Sequence, residues 1–237
     1  PLPVVVLSSL TQTGSSMALW ALELGAVEVL DKPSHDLALE GGDLALARLA
    51  AVVRGAAGAR VRRRWSSGLK HKLSARKRDG GPAKRVLALG ASTGGTQALP
   101  QVLAALPSDG AGCVIVQHMP ADFTVSFAAR LDELSPWRVR EARHGELLHD
   151  GEALLAPGDR HLVLQRDPQG WRTLLRDTPP VNFVRPSVDV MMLSVARAAG
   201  SAAVAALLTG MGRDGASGLL AIRQAGGRTL CQDQESS

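Results

Sequence analysis

The sequence predicts an α/β fold built on a doubly wound, mostly parallel sheet. Three observations carry this. Short continuous apolar runs such as "RVLALG" and "GCVIVQHM" read as strands buried on both faces. They alternate with longer runs of helical spacing, such as "ADFTVSFAARLDEL" and "VDVMMLSVARAA". The composition, 45% apolar and 21% charged, is that of a globular chain. Aromatics are only 3% and tyrosine is absent. The core is therefore built from Ala, Leu and Val, and no Tyr serves as an acid or base.

In chain order, "VVVLSS" (4–9) reads as a buried strand and "GSSMALWALELGA" (14–26) as a helix, with Ser15 or Ser16 near its start and Gly25 near its end. "VEVL" (27–30) is a short strand stopped by Lys32-Pro33, and 36–54 is a helix with room for a break at Gly41-Gly42. After a polar segment come a strand at 85–90, a helix at 96–106, a strand at 112–119 and a helix at 121–134. Shorter segments follow, "WRVREA", "EALLAP", "HLVLQ" and "WRTLLRD". The "RDPQG" between the last two predicts a hairpin. A helix at 188–199, a strand at 202–209, a helix at 214–225 and a strand at 227–233 complete the pattern. It divides into an α/β unit at 1–53, a linker at 54–84 and a larger α/β domain at 85–237.

The net charge of +5 suggests a nucleic-acid binder until it is located. Residues 54–85 hold 12 Lys/Arg and one Asp, leaving 15 basic against 21 acidic residues elsewhere. A like-charged stretch with little to bury is a solvated linker, and the folded parts are mildly acidic. No nucleic-acid partner is expected. Cys113 and Cys231 lie in apolar runs without metal-ligand spacing and read as buried free thiols. That favours a reducing, cytoplasmic setting. No apolar run approaches the roughly 20 residues of a membrane span.

In parallel α/β sheets the ligand site lies beyond the carboxyl ends of the strands. Ser92 follows the strand at 85–90, His118 ends the strand at 112–119, and Asp214 follows the strand at 202–209. A hydroxyl, an imidazole and a carboxylate so placed are the parts of a nucleophilic triad. "GASTG" (90–94) fits a sharp strand-to-helix turn with an exposed serine. The Thr93 N–H then faces a developing oxyanion, and the Met211 N–H in "GMG" is the candidate second donor. The competing reading is a phosphate-binding turn, but "GASTGG" matches neither common phosphate-loop pattern. His161 is a rival base; His144 and His149 fall in a polar loop, and His35 and His71 in other segments.

"LGASTGG", "VIVQHMP", "LLAPGDRH", "RPSVDVMMLS" and "LLTGMGRDGASGL", in that order, resemble the CheB family of chemotaxis response-regulator protein-glutamate methylesterases. The resemblance implies a Rossmann-like catalytic domain over 85–237, preceded by the back half of a flavodoxin-like receiver. It implies hydrolysis of glutamate γ-methyl esters on chemoreceptors, deamidation of certain receptor glutamines, and no cofactor for that chemistry. The family's catalytic residues fall on Ser92, His118 and Asp214, and its oxyanion-side methionine on Met211. Its receiver switch residues fall on Ser8 and Lys32, with Val29 where an aromatic switch residue is usual. The phosphoacceptor Asp, its Mg²⁺-binding acidic pair and the contact with a histidine kinase as phosphodonor belong to positions before Pro1. The family's final helix and strand fall beyond Ser237.

Overall fold

Val5–Ser8 (β1) and Glu28–Asp31 (β2) pair in parallel, Val5 opposite Glu28 and Ser8 opposite Asp31, as a two-stranded sheet. The computed structural model describes residues 2–8, 17, 20–22, 24–32, 42–58, 80–210 and 212–233. Helix α1 (Gly42–Gly58) lies against both strands. It extends four residues past the expected end at 54, through "RGAAG". Most of the basic segment lies outside the described residues.

The larger unit is a six-stranded sheet in the order β10-β9-β3-β4-β6-β5, with every pairing parallel. Its strands are β3 (Val86–Ala91), β4 (Gly112–Gln117), β5 (Arg138–Glu141), β6 (Glu152–Leu155), β9 (Ala203–Leu207) and β10 (Arg228–Cys231). Antiparallel pairing between strands joins β7 (His161–Asp167) to β8 (Gly170–Arg176), and isolated antiparallel bridges link Pro82 to His149, Leu147 to Arg172 and Val181 to Val184. Asp167 Oδ1 accepts the N–H groups of Gln169 and Gly170 and so closes that turn.

Helices α2 (Gly95–Ala105) and α3 (Ala121–Leu134) cover one face of the sheet. Helices α4 (Val188–Ala199) and α5 (Ala216–Gln224), with the hairpin, cover the other. The central strands serve both cores because successive side chains point to opposite faces. Leu89, Cys113 and Ile115 pack with Leu99, Phe123 and Phe127. Val86, Ala88, Val114 and Val116 pack with Met191, Met192 and Leu162. The β1–β2 unit joins the first core through Leu22, Ala26 and Val29, and Gln97 Nε2 donates to Ala26 O at 3.1 Å.

One expectation fails. Cys113 is buried, and burial pushes its thiol pKa well up, but Cys231 is exposed. It sits on β10, the edge strand, whose run "RTLC" is apolar enough to pair but is not covered among the described residues.

Candidate active site

β3, β4 and β9 lie side by side, so the turns after them meet above the same edge of the sheet. Ser92 is the first residue after β3. Its N–H donates to Thr209 O at 2.9 Å, and its carbonyl accepts from Gly95 N at 2.8 Å and Gln117 Nε2 at 2.9 Å. Gly94, at φ +82°, makes the left-handed step that turns the chain into α2. Gly210 lets the turn after β9 come close: a Cβ there would stand 2.7 Å from Ser92 Cβ. His118 follows β4 and is tied by its N–H to Ala91 O at 3.1 Å.

The side chains of Ser92, His118 and Asp214 form one hydrogen-bonded chain. His118 Nδ1 lies 3.1 Å from Ser92 Oγ, and His118 Nε2 lies 2.9 Å from Asp214 Oδ2. A carboxylate only accepts, so Nε2 carries the hydrogen and Nδ1 turns its lone pair to the serine. The sequence did not indicate which ring nitrogen faces which partner.

Asp214 is held from several sides. Oδ1 accepts from Ser187 Oγ at 2.6 Å, Asn182 Nδ2 at 2.9 Å and Asp189 N at 3.3 Å, and Oδ2 from Val188 N at 2.6 Å. Ser187 caps α4, so the carboxylate also faces the positive end of that helix. Burial pushes the Asp214 pKa up. The bonds from His118, Ser187, Asn182 and Val188 outweigh that and bring it to about 2.

Two clefts open beside the chain, of about 270 and about 310 Å³, and share His118, Phe183 and Val184. Ser92, Thr93 and Asp214 line the first, with Glu28, Leu30 and Val52 of the β1–β2 unit on its far wall. Thr93 is thus beside Ser92. Met211 lies outside the described residues. The rival base His161 is buried and already engaged: its Nε2 faces Pro179 O at 3.1 Å and its Nδ1 accepts Ser187 N at 3.1 Å. With both ring nitrogens so engaged, it pins the strap 178–187. His144 is exposed, and His149 lies near Glu152. His35 and His71 are outside the described residues.

Ser8 and Lys32 lie at the ends of β1 and β2, where Lys32 N donates to Ser8 O at 2.8 Å. Among the described residues no group of three or more His, Cys, Asp or Glu is placed to hold a metal ion. Among the described residues no helix is long and apolar enough to cross a membrane.

Sequence reasoning missed Asn182, Ser187 and Gln117. Ser187 had a visible signal, a serine just before a helical run, which marks an N-cap. Gln117 reads as part of a buried strand, and its amide role appears only once Ser92 and His118 are placed in space.

A family model described as CheB methylesterase matches residues 87–237. A protein-glutamate methylesterase/protein-glutamine glutaminase 2 of Pseudomonas aeruginosa is 49% identical over 237 residues, covering 99% of this chain and 66% of the relative. The corresponding protein of Chromohalobacter salexigens is 46% identical, covering all of this chain and 66% of its own length. The chain thus spans just under two thirds of these relatives. A crystal structure of the Thermotoga maritima CheB methylesterase catalytic domain superposes with a TM-score of 0.62 at 38% identity, over 65% of this chain and 82% of that one. With the family model covering well over half its length, this chain belongs to the CheB methylesterase family.

Proposed function

We propose that this chain is a serine hydrolase that converts glutamate γ-methyl esters on chemoreceptors to glutamate and methanol. The same site deamidates particular receptor glutamines. The observation that carries this reading is the continuous hydrogen-bonded chain from Ser92 through His118 to Asp214.

The hydrogen-bonded chain supports the following sequence of steps. His118 Nδ1 takes the Ser92 proton as Oγ attacks the ester carbonyl. The Asp214 carboxylate, charged down to about pH 2, stabilises the imidazolium that forms. The Thr93 N–H, at the turn into α2, and the Met211 N–H are assigned to the oxyanion. The tetrahedral intermediate collapses, His118 returns the proton to the leaving methoxide, and methanol departs. With glutamine the same proton goes to the leaving amine and ammonia departs. Water, deprotonated by His118, then attacks the acyl-serine, and glutamate leaves with Ser92 restored.

Residues 1–53 are assigned to the back of a receiver domain, with Ser8 and Lys32 as its switch residues and a chemotaxis histidine kinase as phosphodonor to the complete receiver. Residues 54–84 are its basic linker and 85–237 the catalytic domain. The enzyme works in the cytoplasm, where receptor methylation sites lie. Mass spectrometry of a methyl-esterified receptor fragment tests the reading. Conversion of both esters and glutamines to glutamate, absent with Ser92→Ala, is the expected result. Unchanged masses with a folded enzyme would refute it.

A further inference from the structure

The strap 178–187 carries a residue that neither the fold nor the proton relay employs. Phe183 is 88% exposed, more than any other large apolar side chain among the described residues. It also sits at φ +65°, directly after Asn182 at φ +53°. These are the two central residues of a tight turn, closed by Val181 and Val184 exchanging N–H···O bonds of 3.1 Å in both directions. Such turns favour Asn-Gly, because the second position suits glycine and strains a residue with a Cβ. Phenylalanine there is costly to the backbone, and burial returns nothing.

The turn is nevertheless held firmly. Asn182 Nδ2 donates to Asp214 Oδ1 at 2.9 Å and to Asp189 Oδ2 at 3.0 Å. His161 holds Pro179 O. Arg185 Nη1 donates to Thr178 O at 3.1 Å while its Nε donates to Asp159 Oδ1 at 2.8 Å. A pre-set backbone thus presents an aromatic ring to solvent. Its place is specific as well. Phe183 and Val184 line both clefts beside His118, so the ring stands on the ridge between them. Phe183 therefore shares a cleft with Ser92 and borders the neighbouring cleft as well.

We propose that Phe183 is a specificity-determining residue. Its ring takes an apolar side chain of the substrate polypeptide next to the residue that carries the ester. This rests on the methylesterase reading. A rigid aromatic already fixed in place loses little freedom on contact, the usual property of an interface anchor.

The test is steady-state kinetics of the chain and its Phe183→Ala, Phe183→Gly and Phe183→Leu variants on two substrates. One is a methyl-esterified receptor fragment and the other is p-nitrophenyl acetate, which is too small to span the ridge. Phe183→Gly relieves the positive φ, so lost activity there is not lost folding. The expected result is a KM for the receptor raised about tenfold by Ala and Gly, with kcat changed less than about threefold. Hydrolysis of p-nitrophenyl acetate stays as it was, and Phe183→Leu recovers most of the receptor affinity. Equal losses on both substrates would overturn the proposal, since the residue would then act through the triad. An unchanged receptor KM would overturn it too. So would faster turnover of both substrates, which would mean that the ring packs on Leu30 and Val52 across the cleft. If the parent chain cleaves p-nitrophenyl acetate but releases no methanol from the receptor, the methylesterase reading itself fails. Receptor turnover with KM indifferent to Phe183 fails this proposal alone.

Discussion

The two ends of the hydrogen-bonded chain are built on different plans. At the Asp214 end, His118, two further side chains and two backbone N–H groups converge on one carboxylate, three of these donors from the start of α4. At the Ser92 end, a single bond of 3.1 Å joins the hydroxyl to His118, and bonds between its backbone and Thr209, Gly95 and the Gln117 amide fix its position. The carboxylate is held by five donors and kept ionised, whereas the hydroxyl has one side-chain partner, His118. That division suits the chemistry. A charge that only stabilises an imidazolium gains from being fixed, and a nucleophile must swing from its base to a carbonyl.

The largest expected effect comes from removing the free end. Ser92→Ala lowers turnover by about 10⁴–10⁶ and leaves the melting temperature nearly unchanged, because no buried partner depends on Oγ. Side-by-side kinetics and thermal denaturation check this. Displacing the serine without removing it comes next. Gly210→Ala puts a methyl against Ser92 Cβ, where only 2.7 Å is available. A shift of about 1 Å at the nucleophile costs about 10²-fold in kcat. Activity within a few-fold of the parent would show that the backbone leaves Ser92 room to give way.

The held end should be more forgiving of any single loss. Ser187→Ala removes the 2.6 Å bond to Asp214 and the cap bond to Val190 N. Expected are a stability loss of about 1 kcal/mol from the cap and about a tenfold loss of kcat. Denaturant unfolding and kinetics separate the two. A loss as great as that of Ser92→Ala would mean that the donors act as one unit and not as a redundant set.

The smallest effect is in pH dependence. Folding lowers the Asp214 pKa from its usual 3.8 to about 2. The carboxylate therefore contributes stability above about pH 4, and this contribution is lost as the pH falls through about 2. Between those values Asp214→Asn should show a shallower fall of melting temperature than the parent. Parallel curves would mean that the carboxylate is not held below its ordinary range.

The same contrast explains which features were legible in the sequence. The elements of the large domain were legible within a residue or two at most ends, since buried strands and amphipathic helices write their periods into the chain. Ser92, His118 and Asp214 stood out because a parallel sheet gathers the turns at the carboxyl ends of β3, β4 and β9. The strap 178–187 did not. "TPPVNFVRPS" has no period, and the roles of Asn182 and Ser187 exist only after α4 and the turn at Asp214 meet. The exposure of Cys231 was hidden for a related reason: an apolar strand does not announce that it lies at an edge.

Methanol release from a methyl-esterified receptor fragment, measured with the chain and with Ser92→Ala under identical conditions, tests the central claim most directly. Release by the chain that disappears in the variant is the expected result. Release that persists without the Ser92 hydroxyl, or none from a chain shown by circular dichroism to be folded, would contradict a serine-dependent methylesterase.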